Sequence, residues 1–436
     1  MPSSSSGGGS APPAGENAPS AASVNTEAGP VISRPRLSLG SKLALLGALY
    51  IASGLPLVIA QKVWPVIWRQ AGASLTAVGL ISLLSLPWTI KVFWAPLVDR
   101  FGQRRHWISA ALAFMALSCA GQAMAMGQEA LLWGAGFIAL LFLFTLASAT
   151  QDVALDAYAV ELAEPGQEGP INSVRVVAYR FAMAAGGGAL LALGPKIGWP
   201  TTWWLLALLL GVASLAALRV PEGRKSTSSA SMKSLVSASL RWLRQPAMLP
   251  ALLLVLLYKV GDYALSPMTL PFWVDAGYGT AEIGAVAVTL GTLASVLGAL
   301  LGGWGTARWG TIPALLFFGL AQGLSNLGYA LAAALDLGRA GLWTVTLVEN
   351  FCQGLAVTAF LAFLMALCGK EAAATRFAVL TALSALPREL VGGFSGLAAD
   401  ALGYGPYFAL TTVLALPGLL LIPRVAPLVQ SAVRNK

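Results

Sequence analysis

Two carboxylates share one turn of a run that is otherwise almost entirely apolar. The stretch "SATQDVALDAYAVEL" at 148–162 carries Asp152 and Asp156 four residues apart, with Gln151 beside them. Residues at i and i+4 lie on one face of a helix, so both acids address the same neighbours. A carboxylate in hydrocarbon is costly and normally faces a partner or a water-filled path. Arg175 and Arg180 stand in the next helical segment, within reach for ion pairing across the intervening hairpin. Asp156 is therefore expected to form a salt bridge. Asp152, the deeper of the two, is expected to serve proton or substrate traffic.

Three further constellations carry charge into apolar surroundings. In "LYKVGDYALSP" (257–267) Lys259 stands three residues before Asp262, so the two can pair on one face. The same stretch superficially resembles the G-x-G-D of intramembrane aspartyl proteases, but position 259 is Lys where that motif needs Gly. "VENFCQG" (348–354) places Glu349, Asn350 and Gln353 within a turn and a half. "LPRELVGG" (386–393) sets Arg388 and Glu389 after Pro387; neighbours in sequence do not share a helix face, so Arg388 is expected toward the interior and Glu389 elsewhere. Arg180, Lys259 and Arg388 suit an acidic substrate, or neutralise the neighbouring acids.

The elements that position these groups are membrane spans. Of 436 residues 57% are hydrophobic and only 10% charged, whereas soluble domains carry roughly 25% charged residues. Windows of about 20 apolar residues mark twelve helices near 42–64, 75–97, 107–126, 131–158, 171–194, 201–220, 247–270, 281–303, 312–335, 342–367, 374–397 and 404–422. The reading is an all-α membrane protein of twelve transmembrane helices in two six-helix pseudo-repeats. Residues 1–40 are a Ser, Gly, Pro and Ala tail expected to be disordered. Residues 41–220 form the first bundle, 221–246 a basic linker, 247–423 the second bundle and 424–436 a tail. Echoes between halves, such as "VGLISL" around Gly79 and "IGAVAV" around Gly284, fit a substrate path at the interface of two repeats.

The net charge of +9 lies mainly between helices rather than on one face, so no nucleic-acid partner is expected. Most Lys and Arg residues fall on the side of the two termini, with only Lys62, Arg69, Lys196 and Arg339 on the other; the positive-inside rule then puts both termini in the cytoplasm. Lys91 is expected to snorkel to that side. The loop "PLVDRFGQRR" (96–105) supplies Asp99 at a helix end, Arg100, Arg104 and Arg105 for acids or lipid phosphates, and Gly102 for a tight turn. His106 is the single histidine, and Cys119, Cys352 and Cys368 all sit in apolar runs, so neither a metal site nor a disulfide is expected. No ATP-binding loop, dinucleotide fingerprint or hydrolase motif stands in a fitting context, and no cofactor or catalytic residue is expected.

With these residues in view, "YIASGLPL" (50–57), "FWAPLVDRFGQRRHW" (93–107), "ATQDVALDAY" (149–158), "YKVGDYA" (258–264) and the whole of 348–386 resemble AmpG-like permeases. These belong to the peptide, acetyl-coenzyme A and drug transporter branch of the major facilitator superfamily. The resemblance implies a proton-driven importer of anhydro-muropeptides in a bacterial inner membrane, and the chain is expected to work as a monomer. The resemblance points to Gln151, Asp152, Asp156, Arg180, Lys259, Asp262, Glu349 and Asn350; the cycle expected is alternating access, with substrate entering a cavity lined by helices one, four, seven and ten. Siderophore and acetyl-coenzyme A permeases are relatives, and a non-transporting receptor is the alternative of another class. On this reading Asp152→Asn, with expression intact, abolishes uptake driven by an inward proton gradient; a receptor would keep its activity when the charges of helices four, seven and ten are neutralised.

Overall fold

Hydrocarbon offers no hydrogen bonds, so a chain this apolar must satisfy its backbone within helices. A computed structural model describes residues 38–126, 134–164, 167–221, 245, 248–335, 337–368 and 373–434, and among them every regular element is helical. Ten helices are long and apolar enough to span a membrane. We label them with two others in chain order: α1 Leu39–Gln70, α2 Leu75–Ile90, α3 Arg104–Met126, α4 Ala135–Leu162, α5 Gly169–Ile197, α6 Trp199–Ala217, α7 Leu249–Asp275, α8 Thr280–Trp309, α9 Thr311–Leu335, α10 Gly338–Cys368, α11 Ala373–Leu402 and α12 Tyr404–Val429. α2 is short because it gives way to 3-10 and short helical segments before Arg100. α11 has the length of a span but carries Arg376, Arg388, Glu389 and Asp400. The expected twelve helices are thus present among the described residues, six on each side of the linker.

The linker and the N-terminal tail lie almost wholly outside the described residues. The segment from 424, read as a tail, instead continues α12 as the helix Ile422–Arg434. Ile422, Val425 and Val429 recur at helical spacing and are buried against the core of the second bundle, which holds the segment in place.

Several helices depart from regular geometry where they pass the interior. α1 widens into a π-helical stretch at Ile59–Val63, α5 at Ala182–Gly186 and α8 at Ile283–Leu290. A π turn accommodates an extra residue and frees a carbonyl, and such turns concentrate at functional sites. The Ala184 carbonyl in α5 accepts a 2.9 Å hydrogen bond from Thr289 Oγ1 of α8, which joins the two halves. α7 breaks after Leu257 and resumes at Val260, with Lys259 at the junction (φ −101°, ψ 4°).

The halves are held together toward the ends of the helices remote from the two termini. Arg69 of α1 grips Asp275 of α7 with two of its three guanidinium nitrogens, Nε to Oδ1 at 2.6 Å and Nη2 to Oδ2 at 2.7 Å, and Tyr404 donates to the same carboxylate at 2.6 Å. Asp400 of α11 accepts from the Leu75 and Thr76 backbone N–H groups (3.3 and 2.7 Å) and from Thr76 Oγ1 (2.5 Å). One half therefore caps a helix of the other, satisfying N–H groups that no helical carbonyl reaches. Glycines allow the approach beneath. A Cβ on Gly396 would collide with the Leu75 carbonyl, and one on Gly79 would come within 2.7 Å of Gly396 N. Between α5 and α8, a Cβ on Gly284 would lie 2.8 Å from the Gly188 carbonyl. Gly396→Leu is expected to preserve the helical content measured by circular dichroism while lowering the thermal midpoint by several degrees, because overpacking of about 1–3 kcal/mol falls on this close contact.

Candidate functional site

Two charged clusters, one per half, stand on either side of the interior. In the first, Asp152 accepts from Ser53 Oγ of α1, and its other oxygen lies 3.4 Å from both Lys91 Nζ and Tyr179 OH. One turn along, Asp156 accepts from Tyr50 OH and from Arg175 Nη2, each at 3.1 Å. The Arg175 guanidinium also lies 5.7 Å over the Tyr50 ring. The i,i+4 spacing of the aspartates thus lets α4 bind α1, α5 and the end of α2 through one charged seam. Lys91 does not snorkel outward: it stands in a 3-10 segment after α2 and reaches Asp152 instead, because a carboxylate in hydrocarbon is the nearer source of stabilisation. Gln151 is fully buried, and neither atom of its amide has a hydrogen-bond partner among the described residues.

The second cluster spans α7, α9 and α10. Lys259 and Asp262 form the expected i,i+3 ion pair, at 2.5 Å and almost fully buried. Asp262 sits in the first turn of the resumed α7, where a negative charge complements the helix dipole. Gln353 and Gln322 donate to its Oδ1 at 3.3 and 3.5 Å. Gln322 also reaches Glu349 Oε1 at 3.3 Å, and Asn350 donates to Glu349 Oε2 at 3.1 Å. Glu349 is thus held by two neutral amides. Gln322 escapes a sequence reading built on charges, although it and Asn326 are two amides, four residues apart, in the otherwise apolar run of α9, a signal that burial makes meaningful.

Between the clusters lies a cavity of about 230 Å³ lined by residues including Gln61, Lys62, Arg180, Asp262, Tyr263, Asn350, Gln353, Arg388 and Glu389. A small adjoining recess adds Glu349 to a wall shared with Lys62 and Asn350. Several expectations change here. α4 supplies none of the cavity's lining among the described residues, since its aspartates are turned into the seam with α1, α2 and α5; α2, α5, α8 and α11 contribute instead. Arg388 and Glu389 do not look apart: they pair at 2.6 Å and both line the cavity, the long guanidinium folding back to its neighbour. Lys62, counted on the outer side by the charge distribution, lies well inside α1 because that helix runs on to Gln70. Arg180 does not join Arg175 on Asp156 and faces the cavity.

The loop before α3 also folds around one of its arginines. Arg104 Nε pairs with Glu161 of α4 at 2.9 Å, and its Nη1 donates to the Val98 carbonyl at 2.6 Å. Arg105 donates to Gln103 at 2.8 Å, Arg100 is exposed beside the Phe101 ring, and Gly102 adopts φ +73°, a region that favours glycine. The Asp99 side chain lies outside what the structure describes. The loop thereby anchors α2 and α3 to α4 within the first half.

A two-half helical bundle with charged clusters flanking a central cavity is the architecture of a solute carrier. The sequence pattern described as Major Facilitator Superfamily matches residues 44–392. Among curated proteins, the anhydromuropeptide permease of Escherichia coli (strain K12) is 35% identical over 389 residues, covering 87% of this chain and 78% of that one. A putative transporter AmpG 4 of Rickettsia conorii is 27% identical, covering 85% and 93% respectively. Among solved structures, the nucleoside transporter NupG superposes with a TM-score of 0.70 at 12% identity over 89% of this chain and 99% of that one. A D-xylose-proton symporter gives 0.69 at 14%, over 88% and 97%; at such identities the superpositions speak for the fold alone. The chain belongs to the Major Facilitator Superfamily and, within it, to the AmpG-like permeases.

The buried pair of α7 can be tested apart from transport. Lys259→Met leaves Asp262 buried without its cation, and losing one partner of such a pair costs about 3–5 kcal/mol. Thermal unfolding in detergent is expected to show the single variant well below wild type and the double variant Lys259→Met/Asp262→Leu recovering most of the loss.

Proposed function

We propose that this protein imports anhydro-muropeptides together with protons across a bacterial inner membrane, as a monomer working by alternating access, with both termini cytoplasmic. The observation that carries the reading is the similarity to the E. coli anhydromuropeptide permease along 87% of the chain, combined with a cavity whose walls are polar and charged. The seal formed by Arg69, Asp275, Tyr404 and Asp400 lies at the end remote from the termini. With cytoplasmic termini, it closes the outer side and leaves the inner side as the route of release.

At about 230 Å³ the cavity falls below the roughly 300–1,000 Å³ typical of ligand pockets. In this state it has room for one end of a sugar–peptide, so loading requires the halves to separate. Separation at the outer end breaks the Arg69–Asp275 pair and the Asp400 cap, and water replaces both.

Of the two carboxylates that suit a proton carrier, Glu349 is favoured over Asp152. Asp152 is committed to Lys91, Ser53 and Tyr179, and neutralising it would strand a lysine in the seam. Glu349 is bound by the amides of Gln322 and Asn350, which can reorient to serve either protonation state. Its position beside the cavity lets occupancy and protonation influence each other. In the proposed cycle a proton reaches Glu349 in the outward-open state, the solute enters, and the halves rock. Both are released inward.

Uptake into proteoliposomes of labelled anhydro-muropeptide, beside a ferric siderophore and acetyl-coenzyme A, tests the substrate. Accumulation of the muropeptide under an inward proton gradient is expected, and accumulation of none of the three would sink the import reading. Glu349→Gln is expected to lose gradient-driven accumulation at least about tenfold while retaining solute counterflow, which needs no net proton movement. Asp152→Asn is expected to lose both.

A further inference from the structure

The cations of the interior fall into two groups. Lys91, Arg175, Lys259 and Arg388 each have a carboxylate within 3.4 Å. Lys62 and Arg180 have no ion-pair partner among the described residues, and both line the same cavity. A charge in hydrocarbon without a counter-ion is expensive to keep, so two in one cavity need an explanation in what the cavity receives.

Both residues belong to the first half, on α1 and α5, and both stand at irregular turns. Lys62 is within the π-helical stretch Ile59–Val63, and Arg180 lies two residues before the π-helical stretch Ala182–Gly186. The extra residue of a π turn changes which side chains face inward, so the backbone irregularity and the two unpaired cations coincide. The opposite wall, on α7 and α10, bears the acids Asp262 and Glu349. Asp262 already has Lys259. Lys62 shares the small recess with Glu349 but forms no ion pair with it.

We propose that Lys62 and Arg180 form an anion subsite in the first-half wall of the cavity, which holds the carboxylate end of the solute and selects acidic over neutral ligands. Arg180 can engage a carboxylate through two parallel N–H bonds, whereas Lys62 acts as a compact point charge. A carboxylate arriving at Lys62 also replaces the distant attraction of Glu349 by a direct one. The lysine thereby reports occupancy of the first half to the acid of the second. The identity of the solute rests on the import reading above; the subsite itself does not.

The test uses the full chain in nanodiscs with two ligands, an anhydromuramyl-tripeptide and the same compound with every carboxylate converted to amide. Lys62→Gln and Arg180→Gln are each expected to weaken the acidic ligand at least about tenfold while changing the amidated one less than about twofold. Lys62→Arg should retain most of the affinity for the acid. Equal weakening of both ligands, or no change for the acid, overturns the proposal.

A second measurement needs no muropeptide: citrate is expected to raise the thermal midpoint of wild type but not of Lys62→Gln. If wild type binds neither muropeptide form yet citrate stabilises it through Lys62, the import reading fails and the subsite stands. If citrate gives no Lys62-dependent stabilisation and muropeptide affinity ignores charge, the subsite fails and the import reading stands. If neither citrate nor either muropeptide form binds, both fail.

Discussion

An unpaired charge surrounded by hydrocarbon is the constraint on which the rest of this structure depends. Membrane helices have little hydrophobic reason to prefer one another over lipid, so packing and polar contacts decide their arrangement. Here the aspartates of α4 bind three neighbouring segments through Ser53, Lys91, Tyr179, Tyr50 and Arg175. The acids of α7 and α10 are joined through Gln322 to α9. Each half is thereby locked internally, while Lys62 and Arg180, which have no ion-pair partner among the described residues, line the cavity between the halves.

Contacts between the halves are of another kind. Glycines at 79 and 396 bring backbones directly together, and those at 188 and 284 let the two backbones approach beside the short Thr289 and Leu191 contacts, which makes a smoother surface than one of large interlocking side chains. Such surfaces can part and meet again without rotamer rearrangement, as alternating access of two rigid bundles demands. The π-helical stretches of α5 and α8 adjoin these contacts and are tied by Thr289 to Ala184.

The helices are legible in the sequence because spans are long and apolar, and the charged residues are legible because they are few. The Lys259–Asp262 pair and the Asp156–Arg175 bridge follow from spacing and from the hairpin between α4 and α5. What spacing could not show is which helix stands opposite. Lys91 and Asp152 are 61 residues apart, and nothing local marks them as partners. Lys62 differs for another reason: a window of average hydropathy closes soon after the first charge and leaves that lysine at the rim, while α1 continues through its π turn to Gln70. Arg388 and Glu389 show the limit of the face rule, since a flexible guanidinium reaches around the helix that ideal geometry divides.

The cap that Asp400 places on α2 has a consequence for how the molecule divides its costs. Its partners, the Leu75 and Thr76 amides, lie on the rim, where Asp400 is exposed and Thr76 half-buried. When the rim opens, water takes over each of these bonds, so only the small net difference between a protein partner and a water partner is lost. The Lys259–Asp262 pair within the second half is almost fully buried and has no such substitute, so parting it would strand charge away from water. Easily exchanged bonds are therefore kept where the protein must yield, and irreplaceable ones where it must not. The line along which the two bundles separate is set as much by where water can reach as by which residues touch.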